Sequence, residues 1–338
     1  MEKKILITGS AGFIGFSLAK SLLDQGYHIH GFDCMSNYYD VTLKRARNEI
    51  LKKYKNFSFT EEILENQEAL DKTITNFKPE IIIHLAAQAG VRYSIEEPRT
   101  YLSSNITGTF NIIEAAHKVK VNHLIIASSS SVYGANTNIP YRETDKAQTQ
   151  LSVYAATKKS TESIAHSYSN IWRLPITMLR FFTVYGPWGR PDMALFKFTK
   201  GIINGEPIDI YNNGEMYRDF TYIDDIVKGI IDLTTVPPKE EKNIDKNDSL
   251  SPVAPFRIVN IGNSNQVKLL DFVEAIESYL GKKAIRNYMP MQQGDVSATW
   301  ANTDLLKKLT GYAPKTEIKV GIKKFIDWYL SYYKSGKS

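Results

Sequence analysis

Lys4-Ile-Leu-Ile-Thr8-Gly9-Ser-Ala-Gly12-Phe13-Ile14-Gly15 decides how the rest of the chain is read. The apolar run 4–8 is short, as a fully buried strand is. It leads into three spaced glycines and then into a helical pattern through Leu18, Leu22 and Leu23. Glycines at such a crossing permit a tight turn and let backbone N–H groups approach a pyrophosphate at a helix N-terminus. The triplet stands between a strand and a helix, as that mechanism requires. A second strand over 27–32 ends in Asp33, 18 residues past Gly15. An acid there accepts from both ribose hydroxyls and repels a 2′-phosphate, which favours NAD over NADP. The competing reading is a plain glycine turn followed by a solvated acid.

Outward from this crossing, strand and helix patterns alternate. A polar, basic helix is predicted over 41–53, a strand over 57–60 and a helix over 69–77. Pro79 breaks the chain before a buried strand over 81–87. The small residues Ala86, Ala87 and Gly90 would let a cofactor lie close, and Arg92 beyond them can reach an anion or form a surface salt bridge. A long helix over 98–119 carries Asn105. The strand over 124–127 delivers the run Ser128 to Ser131 at its C-terminal end, the edge where ligands bind in doubly wound sheets. After a strand over 176–181, the loop 182–194 is dense in Gly, Pro and aromatics and suggests a binding wall. Short extended pieces follow at 205–211 and 218–223, an exposed loop at 237–255, and helices at 267–280 and 320–332. The expected fold is α/β. A Rossmann-like, doubly wound parallel sheet occupies residues 1–182, and a smaller C-terminal α/β substrate-binding part spans 183–338, with some later segments returning to the sheet.

The 338 residues suffice for a large core, with 43% hydrophobic and 23% charged residues. No apolar run approaches the about 20 residues a membrane span needs, and residues 1–4 leave no room for a signal peptide before the first strand. Cys34 is the single cysteine, so intrachain disulfides are excluded; a reducing cytoplasmic setting is expected. No metal site is expected. The net charge of +6 is spread along the chain, which argues against nucleic acid and suits an anionic small substrate.

The chemistry centres on Tyr154-Ala-Ala-Thr-Lys158. Residues four apart on a helix share a face, so both side chains point into one space. A free phenol titrates near about 10, and an ammonium on the next turn favours the phenolate. A serine hydroxyl from the 128–131 run can fix the reacting oxygen. An ordinary amphipathic helix with a surface lysine is the bland alternative, and the context of glycines, acid and serines weighs against it.

Together these residues resemble the extended short-chain dehydrogenase/reductase family: the glycines, Asp33, His84-Leu-Ala-Ala87, the serine run, the Tyr154/Lys158 pair and Arg218-Asp-Phe-Thr-Tyr-Ile-Asp-Asp225. Within it, the stretches 183–194, 86–94 and 37–40 are similar to those of UDP-glucuronate 4-epimerases. The resemblance implies that NAD is held by Gly9, Gly12, Phe13, Ile14, Gly15 and Asp33, with Ala86, Gln88 and Asn105 lining its pocket. Tyr154 would be the catalytic acid/base and Lys158 would bind the nicotinamide ribose and lower the phenol pKa. Ser129 falls at the family's catalytic Ser/Thr position, with Ser130 beside the substrate. Thr183 and Arg190 would lie along the sugar, and Arg218 with Asp295 would hold UDP. Arg190, then Arg92, are candidate clamps on a sugar carboxylate. Two departures stand out. Ile63 occupies the place of an adenine-contacting aspartate, after Glu61 and Glu62, and Gln292 and Gln293 occupy a stretch where galactose epimerases carry an arginine.

The implied reaction is NAD-dependent epimerisation at C4 of a UDP-sugar, UDP-glucuronate to UDP-galacturonate, through a transient 4-keto sugar. Dehydratases of this family carry an Asp-Glu pair after the catalytic Thr and the decarboxylases a Glu; here Ser130 and Ser131 offer no ionisable group. Decarboxylase, another UDP-hexose 4-epimerase and a catalytically silent NAD-sensing regulator are the alternatives. The resemblance also implies a homodimer through helices near 100–117 and 155–171, and supply of uronic acid for a polysaccharide.

Overall fold

The computed structural model describes residues 3–240 and 243–335. Residues 1–2, at the head of the predicted first strand, and 241–242, inside the predicted loop 237–255, lie outside the described residues.

The first half alternates as its periodicities require. In chain order the elements are β1 (Lys4–Thr8), α1 (Phe13–Asp24), β2 (His28–Asp33), α2 (Val41–Leu51), β3 (Phe57–Glu61), α3 (Gln67–Phe77) and β4 (Ile81–His84). Short helices α4 (Tyr93–Glu96) and α5 (Pro98–Tyr101) lead through a π-helical turn, Leu102–Thr107, into α6 (Gly108–Val119). Then come β5 (His123–Ser129), α7 (Val153–Trp172) and β6 (Ile176–Phe181). Among the described residues seven parallel strands form one sheet, ordered β3-β2-β1-β4-β5-β6 and closed by β10 (Phe256–Ile261). Successive side chains of a strand face opposite ways. Ile5 and Ile7 accordingly pack under α1, while Leu6 packs on the other face with α3 and α6. Each such fully buried aliphatic contributes roughly 1.5–3 kcal/mol.

Because the strands are parallel, their C-terminal ends share one edge. Thr8 is in register with Phe32 on one side and His84 on the other, and Ser129 with Phe181. Asp33, the glycine loop and the serine run therefore meet along a single rim.

The second half is smaller and less regular: β7 (Thr183–Tyr185), α8 (Ala194–Asn204), β8 (Pro207–Tyr211), β9 (Tyr217–Tyr222), α9 (Ile223–Leu233), β11 (Gln266–Lys268), α10 (Leu269–Leu280), β12 (Ile285–Met289), α11 (Asp304–Thr310) and α12 (Ile318–Ser335). Strand β9 lies between β7 and β11, and β8 pairs with β12. Helix α9 packs against α1, and β10 joins the main sheet.

Several expectations need correcting. The helix over 98–119 is present with its predicted ends, but its turn Leu102–Thr107 is π-helical and carries the fully buried Asn105. The strand over 81–87 stops at His84, where the Thr8 hydroxyl takes the Ala86 N–H. Helices α8 and α9 stand where no helix was expected. Apolar Ile223, Ile226, Val227, Ile230 and Leu233 recur at helical spacing and are all buried, but their β-branched run directly after an extended piece masks the period. The loop 237–255 is exposed only in part, since Asp248 is buried against Arg257, 2.9 Å away.

Candidate active site

The glycine loop is shaped by contacts that exclude side chains. Gly9 has φ +71°, and a Cβ there would lie 2.8 Å from the Ala86 nitrogen. A Cβ on Gly15 would overlap the Gly9 carbonyl oxygen. Helix α1 begins at Gly12 with no side-chain cap and no acid in its first turn, so its N-terminal N–H groups stay open to an anion. Phe13 and Ile14 turn into or against the core, so they offer backbone to that site. The Asp33 carboxylate is 7% exposed and fixed by the N–H groups of Ala11 (3.0 Å) and Met35 (2.9 Å). Each oxygen keeps a second lone pair for a ribose hydroxyl.

Across from it, the loop after β4 is held from behind. The His84 ring joins Thr8 (2.7 Å) to Thr109 (2.9 Å). Burial pushes its pKa down to about 3, helped by Lys158, so it is a neutral link. Asn105 exchanges two hydrogen bonds with the backbone of Gln88 and donates a third to Thr157. Its amide is engaged with that loop and with α7. Gln88 Nε2 is buried without a partner. An open helix N-terminus, a cradle that any Cβ would fill, a fixed acid and an orphan amide donor fit a dinucleotide. At the adenine end, Ile63 is half exposed, and Glu62 is tied to the Ile63 N–H and to Asn66.

Ser152 caps α7 through the Ala155 N–H, and Tyr154 and Lys158 follow on one face. Lys158 is 3% exposed, and its Nζ donates to the Ala127 carbonyl at 2.8 Å. Burial lowers its pKa to about 8. The Tyr154 pKa is raised, first by burial; the Ser129 hydroxyl beside it and then Arg190 act in the opposite direction. Tyr101 packs edge-on against the Tyr154 ring at 6.1 Å.

The serines divide the work. Ser128 donates to Glu162 at 2.7 Å, and Glu162 is gripped by Arg180 through two hydrogen bonds, both partners 2% exposed. Arg180 holds the Glu162 carboxylate below the usual range against the pull of burial. Ser129 accepts from the Ser131 N–H at 3.2 Å and faces the phenol. Ser130 is half-buried in the turn that follows.

A cleft of about 640 Å³ opens beside this group, walled by Arg92, Thr183, Arg218, Gln292, Gln293 and Asp295 among others. The arginines in and near it carry different loads. Arg218 donates to Asp295 at 2.7 Å. Arg190 meets Asp192 with both arms of its fork, one at 3.0 Å. Arg92 lies 4.4 Å from the Tyr211 ring centre and has no acid partner among the described residues. Gln292 Oε1 is buried without a partner.

The structure thus brings the glycines, Asp33, Ala86 and Gln88 to one side of the rim, Ser129, Tyr154 and Lys158 to its middle, and Arg92, Thr183, Arg218 and Asp295 to the cleft. Sequence reasoning missed Asp192, Glu162 and Tyr38, which donates to Asp192 at 3.3 Å. The spacing of Glu162, four residues past Lys158, was the one available signal.

Fold and glycine cradle together define a dinucleotide-dependent enzyme, with Ser129, Tyr154 and Lys158 gathered at the sheet rim. The chain belongs to the NAD dependent epimerase/dehydratase family, which residues 5–246 match. It is 52% identical over 334 residues to a probable UDP-glucuronate 4-epimerase of Rhizobium meliloti, covering 98% of each chain. It is 54% identical over 333 residues to protein CapI of Staphylococcus aureus, covering 98% of this chain and 99% of that one. Among solved structures it is similar to the UDP-glucuronic acid 4-epimerase of Bacillus cereus in complex with UDP-glucuronic acid and NAD, at 33% identity and a TM-score of 0.88, covering 98% of this chain and 100% of that one.

Proposed function

We propose that this protein interconverts UDP-glucuronate and UDP-galacturonate by NAD-dependent epimerisation at C4. The observation that carries the reading is the Tyr154 phenol, set beside Ser129 of a serine run with no ionisable group at the C-terminal end of β5. NAD, when bound, supplies the acceptor and return donor of the C4 hydrogen. Gly9, Gly12, Phe13, Ile14, Gly15, Asp33, Ala86 and Gln88 would hold it.

Tyr154 takes the proton of the sugar 4-hydroxyl and returns it, with Ser129 hydrogen-bonding the same oxygen. Lys158 holds the ribose and, protonated below about pH 8, adds positive charge to the pocket. Arg218 binds the diphosphate, with Asp295 orienting it. Thr183 and Ser130 flank the sugar. Of the two arginines considered for the carboxylate, Arg92 has its fork free of acids and suits a planar, bidentate grip. Arg190 is committed to Asp192 and supports the phenolate. A grip on the carboxylate matters because a 4-keto uronic acid is a β-keto acid and loses CO₂ when that bond aligns with the carbonyl. Residues 1–182 with β10 would form the cofactor part and 183–338 mainly the sugar-nucleotide part. A cytoplasmic homodimer is our reading of its state; the half-exposed apolar Leu102, Phe110, Ile171 and Trp172 near and on α6 and α7 support it. No helix among the described residues is long and apolar enough to cross a membrane.

The test is to supply UDP-glucuronate without added NAD and resolve the products by chromatography. UDP-galacturonate is expected, with Tyr154→Phe slowed by about 10²–10⁴-fold. UDP-pentose as the main product would replace this reading with a decarboxylase, and undiminished turnover in Tyr154→Phe would remove the assigned base.

A further inference from the structure

We propose that Arg47 couples the dinucleotide cradle to the sugar-nucleotide cleft, so that each ligand tightens the other. The inference rests on the assignment of those two sites above, and concerns a residue that none of the chemistry so far uses.

Arg47 lies on α2 and is fully buried. One arm of its fork donates to the Ala11 carbonyl inside the glycine loop and to the Tyr39 hydroxyl, both at 2.9 Å. The other arm donates to the carbonyls of Trp188 and, at 3.4 Å, Gly189. Its Nε is buried without a partner, and no carboxylate among the described residues pairs with it. A buried cation without a counter-ion is costly, and a leucine or methionine would fill the same space without that cost. What the guanidinium adds is a bridge with acceptors on two separate loops.

The far loop is itself held in an unusual way. Trp188 has φ +62°, a left-handed backbone that a bulky residue rarely adopts. Its ring is packed at 5.3 Å from Phe16 of α1, 5.2 Å from Trp328 and 5.0 Å from Tyr332 of α12. Such backbone persists only where its surroundings over-determine it. Ring packing fixes Trp188 from one side and Arg47 fixes its carbonyl from the other. Arg190 follows directly, and then Asp192, Met193 and Ala194, which wall the cleft. Ala11, at the near end of the bridge, is the residue whose N–H holds Asp33. A shift at either loop is therefore passed through one rigid side chain to the other.

Binding measurements with NAD and UDP as probes test this without turnover. The dissociation constant of NAD is measured with and without saturating UDP, and that of UDP with and without saturating NAD. Linkage requires the two equilibrium factors to agree. In the native protein a factor of about ten is expected. In Arg47→Lys, which keeps the charge and loses the fork, the factor falls towards one. Tyr39→Phe removes one anchor of the fork and is expected to fall between. A role confined to folding would lower the melting temperature in both variants and leave the factor at the native value. That result overturns the proposal, as does a native factor of one; Tyr39→Phe decides the matter if Arg47→Lys does not fold. Failure of the native protein to bind NAD or UDP at all would instead sink the site assignments.

Discussion

The two sides of the site are built from different material. The dinucleotide side is mostly backbone: glycines that admit no Cβ, an uncapped helix N-terminus, and one acid pinned by two N–H groups. The cleft side is side chains, and its polar members include ion pairs made across the chain, Arg218 with Asp295 in its wall and Arg190 with the wall residue Asp192. Backbone donors are in place before a ligand comes and cost no rearrangement. A paired side chain such as Arg218 must share its donors with an anion each time one enters. The contrast matches what an epimerase needs, a cofactor that stays and a sugar nucleotide that turns over.

The contrast breaks most visibly at Gly15. Gly15→Ala places a methyl group on the Gly9 carbonyl, at a cost of about 3 kcal/mol or more. It is expected to purify without NAD and with a lowered melting temperature, which absorbance and calorimetry would show. A fully loaded, equally stable variant would mean that the cradle is softer than its geometry states.

On the other side, Arg218→Ala removes one charge-assisted contact, worth about 1.5–3 kcal/mol. UDP affinity should fall about tenfold to a hundredfold, while NAD content per chain stays native. Loss of NAD in that variant would erase the division between the two sides.

The finest distinction concerns Arg190, which touches both. Burial raises the Tyr154 pKa and Arg190 opposes the rise. Removing it pushes the phenol further up, so the rising limb of kcat/KM against pH moves to higher pH in Arg190→Ala. Arg190→Lys, which keeps the charge, should recover most of the shift. An unmoved limb in Arg190→Ala would remove Arg190 from the groups that favour the phenolate.

The same contrast explains what could be read from the sequence. The cradle is local: a strand, three glycines and a helix within the first 24 residues, with an acid closing the next strand. Backbone geometry of that kind is dictated by residue type at short range, and so are the Tyr154/Lys158 spacing and the serine run. The cleft side depends on partners far apart in the chain. Asp295 is 77 residues from Arg218, and Arg47 reaches Trp188 across 141. No local period announces such pairs. The direction in which Lys158 Nζ turns was equally hidden, since helix spacing puts two side chains on one face without fixing their rotamers. Asn105 was found by resemblance, and the π-helical turn that carries it has no sequence signature.

One consequence of the Arg218–Asp295 pair concerns small ions. Tethered to the same chain, Asp295 presents its carboxylate to Arg218 at an effective concentration of millimolar order or above. Chloride, or phosphate at lower concentration, gains little by displacing it. A ligand that brings a diphosphate, a base and a sugar together competes on several contacts at once and wins. The resting cleft therefore screens out simple salts before any recognition of the sugar begins.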